Sequence, residues 1–483
     1  MRVLQYSVRL PILIRYAGQL LIVLAALSSV PFVVSLFFGD HGTALRYAIV
    51  ITVISVLGIA GTRLRPQGVM QNNEAMVITA AIFILSPLAM TWPVMASGLV
   101  FSDALFECIS AVTTTGLSTV AVAGLDMSTL LFSRAWMQWI GGLGIVVLCM
   151  AVLIQPGLTA KRLNIEESFE EDILGGTRAI ARNTLVVYTA MTAAGIIVLM
   201  VTGVHWYDAL LYSLTAISTG GFAPYSGSLA GLPNVLSQFS VIAIAIGGAT
   251  SLLLFSQIYE RGWRKFFLDS QLQAFIATAV VIAAALTLVL WLQHELSLSE
   301  SLRHGILNGL SALSTAGFSS TDIGGTSNGS KLILILAMAV GGCAGSTAGG
   351  IKIIRLLILF RLLYLLIQKA AAPSKAVLEA RLNGRKLGVD EMLNAVTIFV
   401  LFNIITMLSW LPFLTAGHPP LDSLFEVVSA LGTVGLSSGI TSIELPVYLK
   451  GILCINMLLG RLEIVAWLVF FYPGTWIGKR KED

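Results

Sequence analysis

Charge is scarce in this chain. Of its 483 residues only 11% are Asp, Glu, Lys or Arg, 56% are hydrophobic, and the mean hydropathy is +0.88. That balance excludes an ordinary soluble protein and places nearly every segment in a bilayer. Cysteine is scarcer still: Cys108, Cys149, Cys343 and Cys454 lie in or beside apolar stretches without metal-ligand spacing, which excludes a disulfide framework and a zinc site. A net charge of +4 is too small to point to nucleic acid. No nucleotide-binding module and no nucleophile beside its base can be assembled, so the chain reads as no enzyme.

What the chain has in abundance is apolar length. Stretches able to span a membrane run from about 17–38, 46–62, 76–98, 129–155, 183–204, 235–258, 271–293, 331–367 (interrupted), 393–415 and 446–472. Residues 1–16, with Arg2, Arg9 and Arg15, lack a small-residue cleavage site and read as an amphipathic cytoplasmic start. Of 29 lysines and arginines, Arg46, Arg134, Arg303, Lys331 and Lys450 fall in the outer connections, and Lys352 and Arg461 fall in the membrane. That leaves 22 inside, which predicts cytoplasmic N- and C-termini.

One short pattern occurs four times: SAVTTTGLS from 110, TAISTGGFA from 215, SALSTAGFS from 311 and SALGTVGLS from 429. Glycine recurs as Gly116, Gly221, Gly317 and Gly435, and two places earlier threonine recurs as Thr114, Thr219, Thr315 and Thr433. Thirteen positions before each glycine stand Asp103, Asp208, His304 and Asp422, of which the aspartates can cap a helix. A second glycine follows in the next span, at Gly141, Gly247, Gly341 and Gly460. From cap to threonine is about eleven residues, roughly 16 Å as a helix, half a hydrocarbon layer. Each unit is therefore a spanning helix, a re-entrant half-helix with an extended return, and a second spanning helix. Two full crossings per unit point all four the same way, unlike an inverted repeat.

Non-helical backbone survives at membrane depth only if it is buried or lines a watery path. Four like-oriented units around one axis provide that path. The glycines let carbonyls turn inward in place of a cation's water shell, and the half-helices aim their negative ends at the same point. Glycine in membrane helices also serves plain helix packing, the competing account. The expected fold is an all-α integral membrane protein: four pseudo-symmetric helix–pore-loop–helix repeats around a central pore, plus two extra N-terminal transmembrane helices. Its boundaries are 1–72 for the N-terminal pair, then 73–160, 161–268, 269–388 and 389–483 for the repeats.

From about residue 73 to the end, these motifs resemble the membrane subunits of the Trk/Ktr/HKT potassium transporter family, and the two extra spans resemble those of the Trk type. The resemblance implies a potassium filter at Thr114, Thr115, Gly116, Thr219, Gly220, Gly221, Thr315, Ala316, Gly317, Thr433, Val434 and Gly435, with K+ the transported ion. Serine at the first filter glycine goes with sodium transport in that family, so Gly116 favours potassium. It further implies a bacterial inner-membrane location, a homodimer, and a cytoplasmic nucleotide-binding regulatory ring as partner, any nucleotide acting only through that partner. His304 departs from the acidic pattern, and the unequal middle residues Thr115, Gly220, Ala316 and Val434 make the filter less symmetric.

The second spanning helix of unit three reads LAMAVGGCAGSTAGGIKIIRLL, a glycine density no ordinary helix carries comfortably. Gly345 and Gly350 nearly imitate a phosphate loop, but isoleucine holds the lysine position and Lys352 comes one late, with no strand before it. Packing through Gly341, Gly345 and Gly349 is the plain alternative. The family resemblance implies an intramembrane gate here, made of Gly345, Ser346, Thr347, Ala348, Gly349, Gly350 and Lys352. Arg461, in LLGRLEIVAW, is a costly intramembrane charge, read as pore-facing beside that gate or as a partner of Glu463. Asp103, Asp208, Asp422, Glu107 and Glu426 could gather cations at the outer mouth, although capping accounts for the aspartates. Mixed charge at 161–182 and the basic run 355–386 lie in cytoplasmic connections, where topological signalling accounts for the positive charge but not for Glu166, Glu167, Glu170, Glu171 and Asp172; the partner there is what the resemblance implies. The leading expectation is gated potassium uptake. Alternatives are a secondary transporter of another small solute, a less selective monovalent-cation transporter, or an intramembrane enzyme or scaffold.

Overall fold

The computed structural model describes residues 7–64, 66, 70–120, 128–153, 173–293, 297–373, 378–382, 385–462 and 464–477, with the side chains of 145–153, 173–180, 257 and 259–261 left out. Arg2, Glu463 and the acidic run 166–172 therefore lie outside the described residues.

Two N-terminal helices, α1 (Leu10–Phe37) and α2 (His41–Thr62), lead into four units. Unit one comprises α3 (Asn72–Val94), the half-helix α4 (Phe101–Val112) and α5 (Ser128–Leu153). Unit two runs through α6 (Ile173–Val201), the half-helix α7 (Trp206–Ile217), α8 (Val235–Ala249) and α9 (Leu252–Phe267). In unit three come α10 (Ser270–Leu292), the half-helix α11 (Leu298–Leu313), α12 (Asn328–Val340) and α13 (Ile353–Ala371). A two-residue antiparallel ladder, β1 (Arg381–Leu382) with β2 (Arg385–Lys386), precedes unit four: α14 (Val389–Thr415), the half-helix α15 (Pro420–Leu431), α16 (Val447–Arg461), α17 (Val465–Phe471) and α18 (Pro473–Trp476). The all-α membrane fold with four repeats is as the sequence leads one to expect.

Helices α1, α2, α3, α6, α10 and α14 are each long and apolar enough to cross a membrane, and α16 with α17 makes a seventh span as a bent pair. The remaining expected crossings fall on α5, on α8 with α9, and on α12 with α13. Two breaks were not expected. The sequence marks only unit three as interrupted, yet α8 also ends at Ala249, where Thr250 turns extended, and α16 ends at Arg461 with Ile464 in the left-handed region at φ 61°. Helix α1 begins seven residues before the apolar stretch expected to start at 17. It starts beside Arg9, whose guanidinium grips Glu74 at 2.9 and 3.1 Å, while Val8 N–H donates to the Thr475 carbonyl at 2.9 Å. The first described residues are thus tied to α3 and α18.

The apolar core sits at the seams between units. Units one and four meet through Phe106, Ile109 and Leu117 against Val427, Leu453 and Met457, and units two and three through Tyr212, Ala216 and Val241 against Leu307, Ala316 and Phe318. With each half-helix walled by its neighbours, the four C-terminal ends are held toward one point.

Candidate functional site

Each half-helix ends in the same hydrogen-bonded turn. The threonine N–H of Thr114, Thr219, Thr315 and Thr433 donates to the carbonyl of Ala111, Ala216, Ala312 and Ala430 at 3.0, 2.9, 3.2 and 3.1 Å. The next N–H, of Thr115, Gly220, Ala316 and Val434, reaches back to Ser110, Thr215, Ser311 and Ser429 at 2.9, 2.8, 2.9 and 2.8 Å. This is a Schellman ending, whose left-handed position normally carries glycine. Here threonine occupies it in every unit, at φ 54°, 51°, 55° and 50°. The left-handed region costs a side-chain-bearing residue roughly 1–2 kcal/mol, so four threonines spend stability to put a hydroxyl there.

Two residues on, Gly116, Gly221, Gly317 and Gly435 have φ of 87°, 80°, 72° and 92°. A Cβ on Gly116 would overlap the Gly220 carbonyl oxygen; on Gly221 it would lie 2.5 Å from that of Ala316; on Gly317 it would overlap Val434, and on Gly435, Thr115. Each glycine therefore packs on the middle residue of the next unit, in the order one, two, three, four and back to one. The four turns thus close into a ring through their glycines and middle residues. Gln138 of α5 braces the second turn, donating to the Gly220 carbonyl and accepting from Phe222 N–H at 3.3 Å.

Directly beneath lies residues 341–352, non-helical, with Gly341, Gly345 and Gly350 at φ near +73° and Lys352 at 75°. Thr347 is its anchor: its N–H donates to Gly248 at 3.1 Å and its hydroxyl bonds Gly248 at 2.9 Å and Ile217 at 3.0 Å. Cys343 N–H donates to Ala249 at 2.9 Å, Ser346 hydroxyl closes on Cys343 at 2.6 Å, and Ala348 is buried. The segment touches the ring. Gly349 N–H donates to the Thr315 hydroxyl at 3.0 Å, Thr219 Oγ1 donates to Thr347 Oγ1 at 3.3 Å, and a Cβ on Gly349 would overlap Thr433 Oγ1. Among the described residues the Thr114 and Thr433 hydroxyls find no hydrogen-bond partner although both are buried, a state that costs about 1–3 kcal/mol each unless a ligand meets them. Backbone carbonyls and neutral hydroxyls are oxygens of the kind that can stand in for a cation's hydration shell. Arg461, 3% exposed, donates through Nη1 to the Thr347 carbonyl at 2.6 Å and through Nη2 to Gly141 at 2.9 Å, tying the segment to units one and four.

Outside the ring, three sequence expectations fail. The aspartates thirteen before each glycine are not caps: Asp103, Asp208 and Asp422 occupy the third helical position, behind Val100, His205 and Pro419. Asp103 bonds Lys450 at 2.6 Å and Asp422 bonds Lys331 at 2.6 Å, so each clamps the half-helix to the second spanning helix of the preceding unit around the ring. Asp208 instead accepts from Tyr225 at 2.6 Å, and burial together with that carboxylate pushes the Tyr225 hydroxyl up to about 12. In unit three Ser297 caps a longer helix, leaving His304 in its second turn against Ser320 at 2.8 Å. Secondly, Arg134, Lys331 and Lys450, counted as loop residues, are buried within α5, α12 and α16. Glu107 and Glu426 are likewise buried, so neither lies open at a mouth. Thirdly, the recurring second glycine of unit two is Gly248, which approaches the Ile217 carbonyl as Gly141 approaches Val112 and Gly460 approaches Leu431; Gly247 meets only Met191. The Gly341 of unit three instead packs on Gly349.

The described sequence and geometry match known proteins along almost their whole length. A family model described as TrkH, cation transport protein, matches residues 43–475. The chain belongs to the TrkH cation transport family. That family transports ions and performs no enzymatic reaction, and it reaches back into α2, further than the motifs alone. The chain is 29% identical to an uncharacterised cation transporter of Methanocaldococcus jannaschii over 94% of each. It is 28% identical to the Trk system potassium uptake protein TrkH of Escherichia coli K12, over 96% of this chain and 98% of the relative. The crystal structure of the potassium transporter TrkH from Vibrio parahaemolyticus shares the fold at a TM-score of 0.86 and 24% identity, covering 97% of this chain and all of that one.

Proposed function

We propose that this TrkH-family protein takes up potassium through a gated pore whose filter is the ring. The single observation behind this reading is the closure of the ring, each glycine seated on the next unit's carbonyl so that four like turns face one axis. In this reading Thr114, Thr115, Gly116, Thr219, Gly220, Gly221, Thr315, Ala316, Gly317, Thr433, Val434 and Gly435 strip and replace the ion's water, their neutral oxygens suiting potassium. Residues 345–350 and Lys352 form the gate beneath, latched by Arg461, whose charge also raises a barrier to cations. The four units span 73–160, 161–268, 269–388 and 389–483 behind an N-terminal pair at 1–72. The protein lies in a bacterial inner membrane with both termini cytoplasmic, pairs as a homodimer, and answers to a cytoplasmic nucleotide-binding regulatory ring. The relatives named as Trk system potassium uptake proteins support potassium uptake as the activity.

The deciding experiment is flux into liposomes holding the purified protein, with competing alkali cations. Potassium and rubidium should pass and sodium should not, while Gly116→Ser, whose Cβ meets the Gly220 carbonyl, should lower total flux and raise the share of sodium in what remains. Absence of cation flux, or slow saturating transport of an uncharged solute, overturns the reading. Equal sodium and potassium flux in the parent would favour the less selective transporter that the unequal middle residues Thr115, Gly220, Ala316 and Val434 allow.

A further inference from the structure

Nine residues before each ring glycine stands a buried side chain that the pore reading leaves unused: Glu107, Tyr212, Asn308 and Glu426. In three units it grips the returning segment three residues beyond the glycine. Glu107 Oε1 accepts the Thr119 N–H and the Ser118 hydroxyl, both at 2.8 Å. Asn308 Oδ1 accepts the Ser320 N–H at 2.8 Å and its hydroxyl at 3.0 Å. Glu426 Oε1 accepts the Ser438 N–H at 2.8 Å and the hydroxyls of Ser438 and Ser437 at 3.0 and 2.7 Å, and its Oε2 accepts Thr441 at 2.6 Å. Unit two explains its own exception. Its matching residue is Pro224, which has no N–H to give, and Tyr212 replaces the acceptor, donating to the Ser228 carbonyl at 2.7 Å.

The three acceptors differ in how their charge is met. Glu107 is balanced by Arg134 Nη1 at 2.8 Å, itself buried and stacked on Phe222. Asn308 carries no charge. Glu426 is fully buried, yet among the described residues no cationic side chain pairs with it, and Lys331 and Lys450 of the same layer are held by Asp422 and Asp103. Four donors satisfy its lone pairs, and a carboxylate held ionised by them would act over several ångströms in a low-dielectric wall.

We propose that Glu426 is a specificity-determining residue: it positions the outer half of the fourth turn, and its uncompensated carboxylate draws the permeant cation into the ring. This rests on the ring being the filter. Potassium uptake by the reconstituted full chain, measured as initial rate against potassium concentration, tests it. Glu426→Gln keeps the shape and removes the charge, and should raise KM at least threefold while changing the maximal rate less. Asn308→Asp in that background returns a carboxylate to the same position one unit away, where Thr321 can turn its hydroxyl to it, and should bring KM back to within twofold of the parent. Alone, Asn308→Asp should lower KM. A Glu426→Gln protein with parental KM, or an Asn308→Asp change that leaves KM unmoved in both backgrounds, overturns the proposal and leaves a brace without electrostatic effect. Gly116→Ser separates the two readings: if it alters sodium competition while Glu426→Gln leaves KM unchanged, the filter stands and this inference falls.

Discussion

At the ring the four units agree closely; one turn below, they part company. The threonine φ angles span only 50–55°, and the same pair of hydrogen bonds recurs four times. Beneath, α5 runs on through Ser128–Leu153, whereas α8, α12 and α16 stop at Ala249, Val340 and Arg461, and among the described residues unit three continues with the longest non-helical segment of the three breaks, 341–352. A turn that must meet three counterparts around one line has no room to drift. A segment that answers only to local partners has, and Thr347 and Arg461 are such partners.

The sharpest way to break the likeness is to give one ring glycine a side chain. Alanine at Gly116, Gly317 or Gly435 meets a carbonyl head-on and strains the backbone as well, so cation flux should fall at least about tenfold, equivalent to about 1.4 kcal/mol or more. Gly221→Ala, with its neighbour at 2.5 Å, should be the mildest of the four in the same flux assay; equal losses would argue against unequal packing. The carboxylate–lysine clamps are read in stability rather than in flux. Asp103 and Lys450 are 2% and 5% exposed, whereas Asp422 is 23% exposed, so Asp103→Asn should cost about 3–5 kcal/mol, the loss typical of a broken buried pair. Asp422→Asn should cost clearly less, both read from unfolding in detergent, and matched losses would refute the burial argument. Gly248→Ala, pressed on the Ile217 carbonyl, should destabilise by about 1–3 kcal/mol, the range of overpacking. Gly247→Ala should be nearly silent because only the flexible end of Met191 lies near; the reverse order in melting temperature would restore the register read from sequence. Below the ring a rise in flux is expected. Arg461→Ala removes two bonds to carbonyls, and partner-free flux should rise a few-fold, a change of about 1 kcal/mol; unchanged flux with an unchanged melting temperature would deny the latch.

How far the sequence foretold this depends on what each residue answers to. Gly116, Gly221, Gly317 and Gly435 were legible because a shared axis imposes one spacing on all four. The aspartates were found in the right column and misread, because an acid in the first helical turn suits the helix dipole whether or not it caps, and nothing local names Lys450 as the partner of Asp103. The breaks after α8 and α16 were missed since one or two glycines, as at Gly247–Gly248 and Gly460, are common inside membrane helices. The brace from Glu107, Asn308 and Glu426 joins positions twelve residues apart and leaves no periodic trace. Pro224 opposite Tyr212 was the available signal, visible only once the other three units show what an N–H at that place does.

Lys450 reaches Asp103 across 347 residues of chain, and that span has a consequence for biosynthesis. A ribosome that has delivered the first three units to the membrane has placed an acid whose counter-charge does not yet exist, beside a seam still open to lipid. The nascent chain must therefore wait for its final quarter before its first pore helix is electrically settled, and a product stalled before α16 carries that unmet carboxylate as a mark of being unfinished.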